Sequence, residues 1–121
     1  MKQVLIVDDS KQIRERITDL LAESSQIHVV GEADDGRKVM DTVQHLKPDT
    51  IILDIRLPGR SGIELLKKIK ADYPHTTVIM LTNHDYAKYR QQCKQLGADH
   101  FLNKTFEFGK IVTTILGHAA H

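Results

Sequence analysis

The sequence predicts an α/β fold, in which five parallel strands alternate with five helices and form one doubly wound sheet covered on both faces. Three observations carry this. Ile51-Ile52-Leu53 is a run of large apolar residues, two of them β-branched, the mark of a strand buried on both sides. Comparable runs recur along the chain, and each is followed by a segment with apolar residues at helical spacing. The connections are short, as a parallel sheet with packed crossover helices requires.

Taken in order, Val4-Leu5-Ile6-Val7 is the first strand and ends in acid at Asp8-Asp9. Ser10 then suits a helix N-cap, and Ile13, Ile17, Leu20 and Leu21 repeat at helical intervals. Ile27 to Gly31 reads as a second strand. Asp34-Asp35-Gly36 caps a helix whose apolar stripe is Val39, Met40, Val43 and Leu46. Lys47-Pro48 ends it, since the residue before proline avoids helical geometry. The third strand, Thr50 to Leu53, stops at Asp54, and Pro58-Gly59 forces a turn. Ser61-Gly62-Ile63-Glu64 has the capping-box form, with Leu66 and Ile69 on the buried side and Pro74 as terminator. Thr77 to Leu81 is the fourth strand, and a polar helix follows over 85–96 with Gly97 as its stop. His100-Phe101-Leu102 is the fifth strand. Phe108, Ile111, Val112, Ile115 and Leu116 then mark a final amphipathic helix over 107–117.

Length and composition narrow the function. A chain of 121 residues supports one core and one domain, and its 40% hydrophobic and 27% charged content is ordinary for a globular protein. No apolar run approaches the roughly 20 residues that cross a bilayer, and Met1-Lys2-Gln3 leads into a strand rather than a secretion signal. A cytoplasmic address with no membrane association is therefore expected. One cysteine, Cys93, excludes an internal disulfide and fits a reducing compartment. A net charge of +1 without a long basic run argues against direct nucleic-acid binding. The last helix ends close to the C-terminus, so a single unit with no output domain over 1–121 is expected.

The chemistry converges on one edge. In a parallel sheet the carboxyl ends of all strands line up, and ligands bind there. That edge collects Asp8, Asp9, Asp54, Thr82 and Lys104. Singly, each has an ordinary explanation as a cap, a turn residue or a solvated lysine. Together, three carboxylates repel one another and call for a cation; with oxygen ligands alone, Mg2+ is the natural candidate. A metal, an ammonium and a hydroxyl could hold the oxygens of a phosphoryl group while a carboxylate attacks phosphorus.

These residues sit in Val-Asp-Asp at 7–9, Leu-Asp-Ile-Arg-Leu-Pro-Gly at 53–59, Met-Leu-Thr at 80–82, Gly-Ala-Asp at 97–99 and Phe-Leu-Asn-Lys at 101–104. In that order and spacing the chain resembles a response-regulator receiver domain of two-component signalling, of the single-domain chemotaxis-regulator type, over its whole length. The resemblance implies a flavodoxin-like (βα)5 sheet with strand order 2-1-3-4-5. It implies that Asp54 accepts a phosphoryl group from the phosphohistidine of a sensor histidine kinase or phosphotransfer protein. Asp9, Asp54 and the backbone carbonyl of Arg56 would hold Mg2+, with Asp8 acting mainly through water. Thr82 and Lys104 match the residues that grip the phosphoryl oxygens, and Phe101 matches an aromatic whose rotation accompanies movement of Thr82. Output would pass through the face of the fourth helix, fifth strand and fifth helix, by partner binding, phosphorylation-dependent homodimerisation or onward phosphotransfer. Such a protein is a phosphoacceptor that catalyses its own phosphorylation and dephosphorylation, not an enzyme acting on other substrates.

The sequence departs from the family pattern at Thr105, where a proline in a cis Lys-Pro bond is usual. A cis bond before threonine costs roughly 3–4 kcal/mol, so a trans bond or an altered loop is expected. Asn83 stands where a small residue is common and narrows access to Asp54. Arg56 and His84 occupy positions that tune phosphoryl lifetime in the family, although either could face solvent. Two other function classes fit these residues less well. A flavin-binding module needs a hydroxyl- and glycine-rich first loop, which Asp8-Asp9 contradicts, and an aspartyl-nucleophile phosphatase needs a second acid and a cap for which the chain has no room.

Overall fold

The structure is a computed structural model that describes residues 1–83 and 87–117. Its elements are β1 (Lys2–Val7), α1 (Lys11–Leu21), β2 (Ile27–Ala33), α2 (Val39–Leu46), β3 (Thr50–Leu53), α3 (Gly62–Asp72), β4 (Thr77–Thr82), α4 (Ala87–Gln95), β5 (His100–Asn103) and α5 (Ile111–Leu116). The five strands pair in parallel in the order β2-β1-β3-β4-β5. This is the doubly wound flavodoxin-like architecture expected from the sequence.

The continuous apolar runs exist because both faces of the sheet are covered. Leu5, Val7, Ile51, Leu53, Val78 and Met80 face one side and pack with Val39 and Val43 of α2, Leu65, Leu66 and Ile69 of α3, and Cys93 of α4. Val4, Ile6, Ile52, Ile79, Leu81 and Leu102 face the other and pack with Ile17 and Leu21 of α1 and Ile111 and Ile115 of α5. Successive residues of one strand thus serve different helices, as the two-residue period of a strand demands.

Local details depart from the sequence reading in instructive ways. α2 and α5 each begin with a 3-10 turn, at Gly36–Lys38 and Phe108–Lys110. Asp35 caps the first through a 2.8 Å bond from the Arg37 N–H, and the Arg37 side chain beside it holds the Asp35 carboxyl down at about 2. Lys47 ends α2 as expected before Pro48, but in the left-handed region (φ 48°) rather than extended, and its N–H makes the last helical bond, to the carbonyl of Val43 at 2.9 Å. The capping box is half made. Ser61 Oγ accepts from Ile63 N–H at 3.1 Å, while Glu64 lies 3.8 Å from Arg60 instead of turning back to the cap. Leu46, assigned to the buried stripe of α2, is exposed at its rim.

Candidate functional site

Three hydrogen bonds carry the strand ladders one step past the strand ends and fix where the site residues stand. The Asp8 N–H donates to the carbonyl of Ala33 (3.1 Å), that of Asp54 to Val7 (3.1 Å) and that of Lys104 to Thr82 (3.0 Å). The side chains of Asp8, Asp54 and Lys104 consequently emerge side by side at the carboxyl edge. Lys104 Nζ sits 2.6 Å from Asp8 Oδ2 and 2.9 Å from Asp54 Oδ2, bridging residues 50 and more positions away in sequence. The other carboxylate oxygens are also engaged. Asp8 Oδ1 accepts from the Ser10 N–H at 2.9 Å and Asp54 Oδ1 from the Ile55 N–H at 2.7 Å.

All three side chains are buried, with Asp8, Asp54 and Lys104 at 2%, 6% and 9% exposure. Burial raises the Asp54 carboxyl above the ordinary range; the Lys104 charge and hydrogen bond pull against this, and neighbouring Asp8 adds to the rise. For Lys104 burial disfavours the charge, but the hydrogen bond to Asp8 and the field and hydrogen bond of Asp54 outweigh it and hold the ammonium above its usual value. The two directions are compatible because one cation faces two acids, so the cluster favours a charged lysine and remains short of positive charge.

Asp9 completes the acidic group from the exposed side. One oxygen from each of Asp8, Asp9 and Asp54 lies within 4.8 Å of the others. Opposite ligands of an octahedral Mg2+ are separated by about 4 Å, so this spread fits one small cation held partly through water. The group opens into a cavity of about 320 Å3 walled by Asp9, Asp54, Lys104, Arg56 and Asn83, with Ser10 and Ile13 from the start of α1. Arg56 and Asn83 are both exposed at this rim.

Thr82 reaches the same edge, paired in register with Asn103, and is fully buried behind the cavity. Phe101 is partly buried against the core beneath α4. The guanidinium of Arg90 lies 4.7 Å from its ring centroid and donates to its carbonyl at 3.2 Å. His84 lies outside the described residues. The Lys104–Thr105 bond is trans, as the threonine led one to expect; no described peptide bond is cis.

Sequence reasoning missed Arg14. Its Nη1 donates to the carbonyl of Asp8 at 2.7 Å and its Nε to Glu32 at 2.8 Å, tying the acidic loop to α1 and β2. No local pattern announces such a contact; it exists because α1 packs across the end of β1. The place of Arg90 above Phe101 likewise depends on tertiary packing and has no local signal.

Comparison with known proteins is decisive. The family model of the response regulator receiver domain matches residues 4–116. The chain belongs to the response-regulator receiver family. Receiver domains are the phosphoacceptor units of two-component systems, phosphorylated by histidine kinases or phosphotransfer proteins, and they bind Mg2+ at an acidic pocket. Protein CcdB of Bacillus subtilis is 36% identical over 98% of this chain and 100% of its own length. The response regulator GacA of Pseudomonas viridiflava is 31% identical over 95% of the chain, which spans 54% of that protein. Among solved structures, the signal receiver domain of a response regulator NarL from Mycobacterium tuberculosis superposes with a TM-score of 0.89 at 32% identity, over 96% of this chain and 94% of that one. The response regulator domain of Thermotoga maritima CheB gives 0.84, also at 32% identity, over 97% and 92%. Some relatives that carry a receiver domain are enzymes, such as the protein-glutamate methylesterase of Methanospirillum hungatei, of which this chain spans 31%. No described helix is long and apolar enough to cross a membrane.

Proposed function

We propose that residues 1–121 act as a receiver in the cytoplasm and that Asp54 is the phosphoacceptor. The observation that carries this is the Lys104 ammonium held between Asp8 and Asp54 at the mouth of an open, acid-lined cavity. Asp54 Oδ2 is the nucleophile: it forms the O–P bond as the P–N bond of a phosphohistidine breaks, and the imidazole leaves neutral, keeping the proton already on its other ring nitrogen. Before attack, Lys104 keeps this oxygen oriented. After attack, the ammonium transfers to a phosphoryl oxygen by a small movement, since it already lies within hydrogen-bond distance.

Asp9, Asp54 and the Arg56 carbonyl would hold Mg2+, with Asp8 through water; when bound, the ion supplies positive charge to the phosphoryl oxygens. Thr82 moves onto a phosphoryl oxygen and Phe101 fills the space it leaves, which alters the α4–β5–α5 face and the partners it accepts. Arg56, Asn83 and His84 tune how long the phosphoryl group survives. The chain catalyses no turnover on other substrates. It binds neither nucleic acid nor membrane, and it signals to a downstream protein or through a phosphorylation-dependent homodimer.

Intact mass after incubation with acetyl phosphate and Mg2+ tests the central assignment. Wild type should gain one phosphoryl group and Asp54→Asn none. A gain that persists in Asp54→Asn would overturn the reading. The metal-free Asp54→Asn protein should also be at least as stable as wild type, by up to about 1 kcal/mol, because the substitution removes a buried charge opposed by Asp8. Separately, Mg2+ at about a hundredfold its dissociation constant should stabilise wild type by roughly 2.7 kcal/mol. Superimposable melting curves in chelator and in millimolar Mg2+ would exclude the metal site.

A further inference from the structure

We infer that Asn103 is the positioning residue for Lys104, holding by side-chain hydrogen bonds a trans loop that has no proline to stiffen it. The inference rests on the proposed role of Lys104 and extends it to a residue that touches neither phosphoryl group nor metal. Asn103 is the last residue of β5 and is buried, at 7% exposure. Its Oδ1 accepts from the Thr105 N–H at 2.8 Å and from the Phe106 N–H at 3.0 Å. The first of these donors exists because position 105 is not proline.

Glu107 closes the loop from both sides, through its side chain and its main chain. The Asn103 N–H donates to Glu107 Oε1 at 3.1 Å, and the Glu107 N–H donates to the Asn103 carbonyl at 2.9 Å. Lys104 therefore lies inside a turn pinned at its base by Asn103. The lysine's own N–H is fixed to the Thr82 carbonyl. Phe106, by contrast, is 86% exposed, so packing of the loop's apolar side chain does not hold this turn in place. An asparagine side chain that mimics a backbone carbonyl in this way is an Asx-turn, a local device that needs no tertiary partner.

The test compares the rate of Asp54 phosphorylation by acetyl phosphate at saturating Mg2+, read by intact mass, in wild type, Asn103→Leu, Asn103→Ser, Lys104→Ala and Asn103→Leu/Lys104→Ala. Leucine keeps the branched shape without an acceptor and should slow the reaction about tenfold or more, because small misplacements of a charge-stabilising group are costly. Serine retains one acceptor oxygen and should slow it about threefold; it repeats the comparison should leucine prevent folding. In the Lys104→Ala background, Asn103→Leu should add nothing, since a residue acting through the lysine has no effect once the lysine is gone. The NMR signal of the Lys104 ammonium should broaden or shift in both single Asn103 variants.

A rate for Asn103→Leu within twofold of wild type would overturn the inference. So would an equal further loss in the Lys104→Ala background, or an unchanged ammonium signal in both variants. Failure of the underlying proposal looks different, since wild type would then take up no phosphoryl group or Lys104→Ala would react at the wild-type rate.

Discussion

Lys104→Ala should lower the stability of the metal-free protein by about 3 kcal/mol, because removing one partner from a buried ionic cluster leaves uncompensated charge. For a domain of this size that is a drop of roughly 10 °C in melting temperature. The lysine contacts both Asp8 and Asp54, each almost fully buried, and in the variant those two carboxylates face one another with no cation among the described side chains between them. Lys104→Met, which keeps most of the side-chain volume, should lose nearly as much and so separates charge from packing. The pH dependence has a definite sign. Asp54 is raised in the folded state, so the native protein holds its proton more tightly than the unfolded chain does, and stability falls as pH rises above about 3.8 through the folded value. Lys104 is raised as well; its contribution is complete below about 10.5 and is lost as pH climbs through the folded value. In Lys104→Ala the Asp54 carboxyl loses its counter-charge and moves further up, so the gap to wild type should be wide at neutral pH and close towards pH 4. Urea titrations at pH 4, 5.5 and 7 in chelator measure this. A gap of constant size would mean that the lysine stabilises by packing and not by charge. Mg2+ should narrow the gap at pH 7, since it supplies part of the missing charge.

The fold was legible because its signals are local and redundant. Val4–Val7, Ile51–Leu53 and Val78–Leu81 are apolar without alternation, a pattern that a sheet covered on one face cannot accommodate. The acids and the lysine of the site were legible for a topological reason: a parallel sheet places every strand's end at one edge, so residues from 8 to 104 can be brought together without knowing a single distance. What the sequence does not carry is which side chain points at which. Lys104 could be placed near Asp54 in advance, yet its shorter contact is to Asp8. Arg14 on the Asp8 carbonyl and Arg90 over Phe101 arise from how α1 and α4 lie across the sheet, which no periodicity encodes. Asn103 carries a local signal, since an asparagine two residues before a residue that keeps its N–H, as Thr105 does where proline would not, favours an Asx-turn.

Gly62→Ala should be among the most damaging single-methyl additions, costing about 3 kcal/mol or more and disabling the site at a distance from its chemistry. Gly62 opens α3, where alanine would ordinarily gain about 1 kcal/mol over glycine through helix propensity. Space decides otherwise. A Cβ here would stand 1.9 Å from the carbonyl oxygen of Asp54, 2.8 Å from its carbonyl carbon and 2.9 Å from Ile55 Cα. Every obstructing atom is backbone, so no rotamer change relieves the overlap, and the Gly62 N–H is bonded to the Ile55 carbonyl at 2.8 Å, which holds the two segments together. Relief requires α3 to retreat or the chain at 54–55 to shift, and the second course carries the Asp54 carboxylate away from Lys104. Two other glycines calibrate the effect. Gly31→Ala would meet the Leu46 Cδ1 at 2.5 Å, the end of a flexible and exposed side chain that can swing aside, so a cost below about 1 kcal/mol is expected. Gly109→Ala meets nothing within 4 Å and should be neutral or slightly stabilising. Thermal melts of the three variants, with phosphorylation rates measured on the folded fraction, check the ranking. If Gly62→Ala melted within a few degrees of Gly109→Ala and retained the wild-type rate, the close approach of α3 to the Asp54 backbone would not exist as described.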